Sequence, residues 1–156
     1  MYWNQRPFGD FGVRLDGGCL VTSSIRVLVV DDLGPWRQRV RSILQTYPEL
    51  SVVAEAADGP EAVQQAEKLQ PDLIILDIGL PNLNGLEAAN RIRRVAPNAA
   101  IIFLTQNRDK AVAQAALSAG ARGYVLKTDA GRELLSAVKG VLGGDDFVSS
   151  GIAGQL

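Results

Sequence analysis

Four apolar residues, Leu73-Ile74-Ile75-Leu76, run without a break and stop at Asp77. A run with no alternating polar residue has no solvent face, so it reads as a strand buried on both sides in a parallel sheet. Asp77 then lies at the carboxyl end of a central strand, where open parallel sheets bind their ligands. Gly79, Pro81 and Gly85 follow and predict a tight turn. An aspartate in such a place serves as a cap or turn residue as readily as a nucleophile.

The same arrangement recurs along the chain. Ile25-Arg26-Val27-Leu28-Val29-Val30 is a buried strand followed by Asp31-Asp32. Leu33, Trp36, Val40, Ile43, Leu44 and Tyr47 then form one apolar helix face, with Pro35 suited to its first turn. Residues 51–56 make a second strand, and Asp58-Gly59-Pro60 opens a helix that Pro71 ends. After Asp77, Leu86, Ala89, Ile92 and Val95 mark a third helix. Residues 100–104 form a strand ending at Thr105, and residues 110–119 an alanine-rich helix closed by Gly120. Gly123-Tyr124-Val125-Leu126 is a fifth strand ending at Lys127, and residues 130–142 a fifth helix stopped by Gly143-Gly144. Five strand–helix repeats predict an α/β fold: a doubly wound, five-stranded parallel sheet with helices on both faces. The order 2-1-3-4-5, flavodoxin-like, sets Asp31, Asp32, Asp77, Thr105 and Lys127 along one edge of the sheet.

Composition narrows the chemistry. A chain of 156 residues, 47% hydrophobic, suits one domain with a sizeable core. With no histidine, the chain cannot use that side chain as base, metal ligand or pH sensor. The net charge of -1 argues against direct nucleic-acid binding by this segment. No apolar run nears the roughly 18 residues of a membrane span. A single cysteine, Cys19, forms no intrachain disulfide and fits a cytoplasmic setting.

Three carboxylates gathered in one crevice repel each other unless a cation lies among them. Oxygen donors favour Mg²⁺ together with a phosphate oxygen. Asp77 is then placed to attack phosphorus and form an aspartyl phosphate. Lys127 supplies positive charge to a phosphoryl oxygen, and the Thr105 hydroxyl a hydrogen bond. Taken singly, an Asp-Asp pair is most often a helix cap, and a strand-end threonine or lysine usually has no function. Only their joint presence at the strand ends points to phosphoryl chemistry.

Val29-Val30-Asp31-Asp32, Leu76-Asp77-Ile78-Gly79-Leu80-Pro81 with Gly85, Phe103-Leu104-Thr105 and Tyr124-Val125-Leu126-Lys127 closely resemble the receiver domain of bacterial two-component response regulators. The likeness spans residues 25–145. It implies that Asp77 is the phosphoacceptor for a sensor histidine kinase, with phosphotransfer and dephosphorylation catalysed by the domain itself. It also implies Asp32 as a direct Mg²⁺ ligand, Asp31 acting through water, and a metal contact from the Gly79 carbonyl. Thr105 and Tyr124 are the implied switch pair: phosphorylation draws the hydroxyl inward, and Tyr124 swings into the vacated space. That repacks the face of helix 4, strand 5 and helix 5, and homodimerisation on phosphorylation fits the same picture. Gly120-Ala121-Arg122-Gly123 and Gly143-Gly144-Asp145-Asp146-Phe147 are similar to receivers that precede a helix-turn-helix DNA-binding domain, which makes the chain read as part of a transcription regulator.

Three positions depart from the family pattern. Gln106 stands where many receivers have a small residue. Gly79 brings no side chain to the site. Thr128 replaces a common proline, so a cis peptide before it would cost roughly 3 kcal/mol, against under about 1 for X-Pro. Gln106 and Thr128 support an alternative, a pseudo-receiver that binds partners without phosphorylation. A flavodoxin-like nucleotide binder fits less well, because the loop Asp31-Asp32-Leu33-Gly34-Pro35 is acidic where a phosphate would sit. Residues 1–24 read as an irregular extension in which Tyr2, Trp3, Phe8 and Phe11 have no sustained period. Residues 146–156 read as a frayed tail or the start of a linker.

Overall fold

A computed structural model describes residues 12–14, 20–22 and 24–154, with side chains from residue 24 onward. β1 (Ile25–Val30), α1 (Gly34–Leu44), β2 (Leu50–Ala56), α2 (Gly59–Leu69), β3 (Leu73–Leu76), α3 (Gly85–Val95), β4 (Ala100–Thr105), α4 (Lys110–Ser118), β5 (Gly123–Leu126) and α5 (Ala130–Leu142) alternate. Then come β6 (Phe147–Val148) and a short α6 (Ser150–Ala153). Every neighbouring pair in the sheet is parallel, in the order β2-β1-β3-β4-β5-β6.

Because successive strand side chains point to opposite faces, each apolar run feeds two cores. Val27, Val29, Ile75, Ile102, Leu104 and Val125 pack with Val40 and Leu44 of α1 and Leu134, Val138 and Val141 of α5. Leu28, Val30, Ile74, Leu76, Phe103 and Tyr124 pack with α2, α3 and α4 through Ala62, Ala66, Ala89, Ile92, Ala113 and Ala116. The alanines bring these helices close to the sheet. With both faces covered, only the strand ends are left for polar chemistry.

The α/β architecture expected from the sequence is present, with two corrections. The sheet has six strands rather than five. Residues 146–156 carry no apolar run to announce a strand; β6 exists because the edge of β5 offers unpaired backbone groups. Gly123 pairs with Phe147 and Tyr124 with Val148. Arg122 holds the turn before β6 through the Asp146 carboxylate and the Gly144 carbonyl, each at 2.6 Å. The second correction concerns residues 1–24, read as irregular. Gly12–Arg14 pairs antiparallel with Leu20–Thr22, with Val13 opposite Val21. Tyr2, Trp3, Phe8 and Phe11 lie outside the described residues. Among the described residues, no helix is long and apolar enough to cross a membrane.

The loop after β3 is fixed by close backbone approach. The Gly85 N–H donates to the Ile78 carbonyl at 2.7 Å. A Cβ on Gly85 would lie 2.1 Å from the Asp77 carbonyl oxygen and 2.7 Å from the Ile78 Cα. Backbone atoms give way only if Asp77 itself moves. Gly85→Ala is therefore expected to lose about 3 kcal/mol in urea unfolding, the upper part of the usual overpacking range. An unchanged midpoint would mean that the turn is slack.

Candidate functional site

The topology brings the predicted residues together at the carboxyl edge of the sheet. Asp77 follows β3 directly, and its N–H donates to the Val30 carbonyl at 3.1 Å. Asp31 follows β1, with its N–H on the Ala56 carbonyl at 3.1 Å. Carboxylate oxygens of Asp31, Asp32 and Asp77 lie within 4.8 Å of one another. Thr105 closes β4 opposite Leu126, and Lys127 begins a single 3-10 turn, Lys127–Asp129. The Lys127–Thr128 peptide is trans. A cleft of about 340 Å³ opens here, lined by Asp32, Asp77, Gly79, Thr105, Gln106 and Lys127 among others.

Lys127 is the centre of the buried charge. Its ammonium lies 2.7 Å from Asp31 Oδ2 and 3.2 Å from Asp77 Oδ2, and its side chain is 5% exposed. Burial alone would lower its pKa; the hydrogen bond to Asp31 and the charges of Asp77 and Asp31 outweigh burial and hold it above the ordinary lysine value. Asp31 moves up from the usual carboxylate value, chiefly through burial and against the pull of Lys127, with the Asp77 charge adding to the rise. The two shifts have one cause. Two buried carboxylates share one ammonium, so the excess is negative.

Asp31 and Asp32 differ sharply in surroundings. Asp31 is buried, its Oδ2 on Lys127 and its Oδ1 accepting the Leu33 N–H at 2.9 Å. Asp32 is exposed on the cleft wall. Hard oxygen donors at this spacing, with uncompensated negative charge, fit a hydrated divalent cation of the Mg²⁺ type. Gly79 is exposed, with open space where a side chain would start.

The residues predicted as a switch pair meet at one residue, Asn107. The Asn107 N–H donates to Thr105 Oγ at 3.2 Å, and the Asn107 carbonyl accepts the Tyr124 hydroxyl at 2.8 Å. Tyr124 is fully buried, its ring 6.4 Å from that of Phe103. The ring thus already occupies the interior. Burial, then the charges of Asp109 and Asp77, push its pKa up from 10.0 to about 12. The folded state therefore holds the phenol proton more tightly than the unfolded chain, and stability falls as pH rises from 10.0 towards about 12. Tyr124→Phe is expected to flatten that fall, while losing about 1 kcal/mol at neutral pH with its hydrogen bond. Urea titrations on both sides of pH 10 measure both effects, and an unaltered alkaline slope would contradict the assignment.

Trp36 and the network of Arg37, Arg41 and Glu55 had no distinct signal in the sequence. Trp36, counted there only as helix core, lies beneath the Lys127 ammonium at 4.9 Å from its ring centroid. Arg37 donates to the Asp31 carbonyl at 2.7 Å and to Glu55 at 2.8 Å, and Arg41 bonds the same carboxylate. The two guanidinium groups hold Glu55 below the usual carboxylate range, overcoming the cost of its burial. This network pins the turn that presents Asp31 and Asp32.

Residues 27–139 match the family model described as the response regulator receiver domain. Transcriptional regulatory protein DegU of Brevibacillus brevis is 34% identical over 134 residues, covering 86% of this chain and 57% of DegU. Response regulator UvrY of Escherichia coli (strain K12) is 35% identical over 132 residues, covering 85% of this chain and 61% of UvrY. The chain thus spans less than two thirds of these two relatives. The crystal structure of a LuxR-family two-component response regulator from Aurantimonas sp. SI85-9A1 superposes with a TM-score of 0.80 at 36% identity, covering 85% of this chain and 94% of that one. Sheet, acidic cleft and sequence agree: this chain belongs to the response regulator receiver-domain family.

Proposed function

We propose that the chain is the phosphoacceptor of a cytoplasmic two-component pathway, with Asp77 taking a phosphoryl group from a sensor histidine kinase. The observation that carries this reading is the Asp77 carboxylate, at a cleft mouth, 3.2 Å from a buried ammonium and grouped with two further acids. An Asp77 oxygen attacks phosphorus, the O–P bond forms as the P–N bond to the kinase imidazole breaks, and the ring nitrogen keeps the electron pair. Lys127 offsets charge on one phosphoryl oxygen. Thr105 turns its hydroxyl from the Asn107 N–H towards another.

Asp32, Asp77 and the Gly79 carbonyl are the proposed direct ligands of Mg²⁺, with Asp31, the nearer carboxylate to the Lys127 ammonium at 2.7 Å, acting through water. When bound, the ion supplies positive charge against the phosphoryl oxygens. Once Thr105 releases the Asn107 N–H, the residue whose carbonyl also anchors Tyr124 moves, and the surface formed by α4, β5 and α5 shifts its population. Partners read that surface, a second phosphorylated copy among them. Regulation of transcription is the output proposed from the likeness to DegU, which is named a transcriptional regulatory protein.

The test is incubation with acetyl phosphate. The chain should gain one phosphoryl group by intact mass when Mg²⁺ is present and none with the ion chelated. No uptake with Mg²⁺, or equal uptake without it, would refute the reading.

A further inference from the structure

The residues after α5 reach back to the site from beyond the span that matches the receiver family, which ends at residue 139. Ser149 is completely buried; its N–H and hydroxyl go to β5 and α5, while its carbonyl accepts the Ile152 and Ala153 N–H groups of α6. Its N–H donates to the Tyr124 carbonyl at 2.9 Å. Its Oγ accepts the Leu126 N–H at 2.9 Å and donates to Glu133 Oε1 at 2.8 Å. The other Glu133 oxygen accepts the Ser150 hydroxyl at 2.7 Å and the Ser150 N–H at 3.3 Å. Ile152 is buried in the cluster that holds Tyr124 and Leu126. A Cβ on Gly151 would lie 3.2 Å from Leu126 Cδ1, a tight contact.

The two-residue β6 pairs only as far as Tyr124, so the Leu126 N–H would otherwise be an open edge group. The Ser149 hydroxyl stands in for the missing strand carbonyl there. Leu126 is bonded directly to Lys127, whose ammonium must reach Asp31 and Asp77 together. Fixing the Leu126 peptide therefore fixes where the lysine stem starts. Glu133 in turn fixes the hydroxyl, because its two oxygens hold both serines.

We propose that Ser149 and Glu133 are positioning residues for Lys127, and that residues 147–153 are coupled through them to the state of Asp77. The proposal rests on the phosphoacceptor reading. Coupling is reciprocal: if docking of this segment aligns Lys127 for phosphoryl binding, then phosphorylation tightens the docking.

The test uses the full chain as wild type, Ser149→Ala and Glu133→Gln. Labelling by acetyl phosphate is followed over a range of donor concentrations. Both variants should show a maximal rate lowered about 5-fold, the equivalent of one net hydrogen bond, with an unchanged half-saturating donor concentration. Amide exchange in the wild type supplies a readout that needs no variant. Exchange at Ser149, Ser150 and Ile152 should slow when excess donor keeps Asp77 phosphorylated, and should be unmoved by donor in Asp77→Asn. Folded variants that label at the wild-type rate would overturn the proposal, as would exchange at these amides indifferent to phosphorylation. If Ser149→Ala does not fold, Glu133→Gln and the wild-type exchange decide. A wild type that takes up no phosphoryl group removes the phosphoacceptor reading and this proposal with it; a labelled wild type with an indifferent segment removes this proposal alone.

Discussion

Asp77→Asn is expected to take up no phosphoryl group from acetyl phosphate under conditions in which the wild type takes up one, and to remain fully folded. A carboxamide cannot form the acyl phosphate, so the loss is complete rather than partial. Stability should move the other way. Asp77 and Asp31 are both buried beside one ammonium, and the Asp77 charge helps to raise the Asp31 pKa. Replacing one of two like charges with a neutral amide of the same shape relieves that repulsion, while Lys127 keeps its 2.7 Å partner in Asp31. Intact mass and urea unfolding on the same preparation separate the two effects. Labelling equal to the wild type would place the phosphoryl group on another side chain; an unfolded variant would make Asp77 a structural residue.

Lys127→Met should produce the largest loss of stability at the site. Removing the cation leaves two carboxylates, each less than a tenth exposed, with no positive partner between them. Breaking a buried ion pair from one side costs about 3–5 kcal/mol. The deficit should be read without divalent ions, at neutral pH. Its pH dependence follows from the directions of the shifts. Asp31 already holds its proton above 3.8 in the folded protein, so its contribution to stability falls as pH rises through its raised value. Without the lysine that value rises further, so the deficit is small in acid, below both values, and full at neutral pH. Lys127 contributes stability that is fully present below 10.5 and is lost as pH rises through its raised value, so wild type and variant converge in strong alkali. Added Mg²⁺ should recover more stability in the variant than in the wild type, because an ion bound among the acids replaces the missing charge. A variant as stable as the wild type in chelator at neutral pH would show that solvent in the cleft already screens the pair.

The apolar runs were enough to determine the strands from Ile25 to Leu126, and the glycine and proline breaks between them determined the helices. Handedness follows from general rules for parallel sheets and 2-1-3-4-5 is one of their two common orders, so the strand-end residues Asp31, Asp32, Asp77, Thr105 and Lys127 could be expected at one edge before any coordinate was known. What a linear pattern cannot carry is which neighbour satisfies a given polar group. Phe147 and Val148 form a strand only because the β5 edge is already there to pair with. Ser149 has no periodic partner; it is buried by the edge it completes. Trp36 fits a helix core stripe equally well with or without an ammonium above it. Tyr124 stands inside rather than at the surface because the Asn107 carbonyl, 17 residues away in the chain, accepts its hydroxyl. Backbone periodicity is local and survives in the sequence, whereas hydrogen-bond satisfaction at a sheet edge depends on groups that only folding brings within 3 Å of each other.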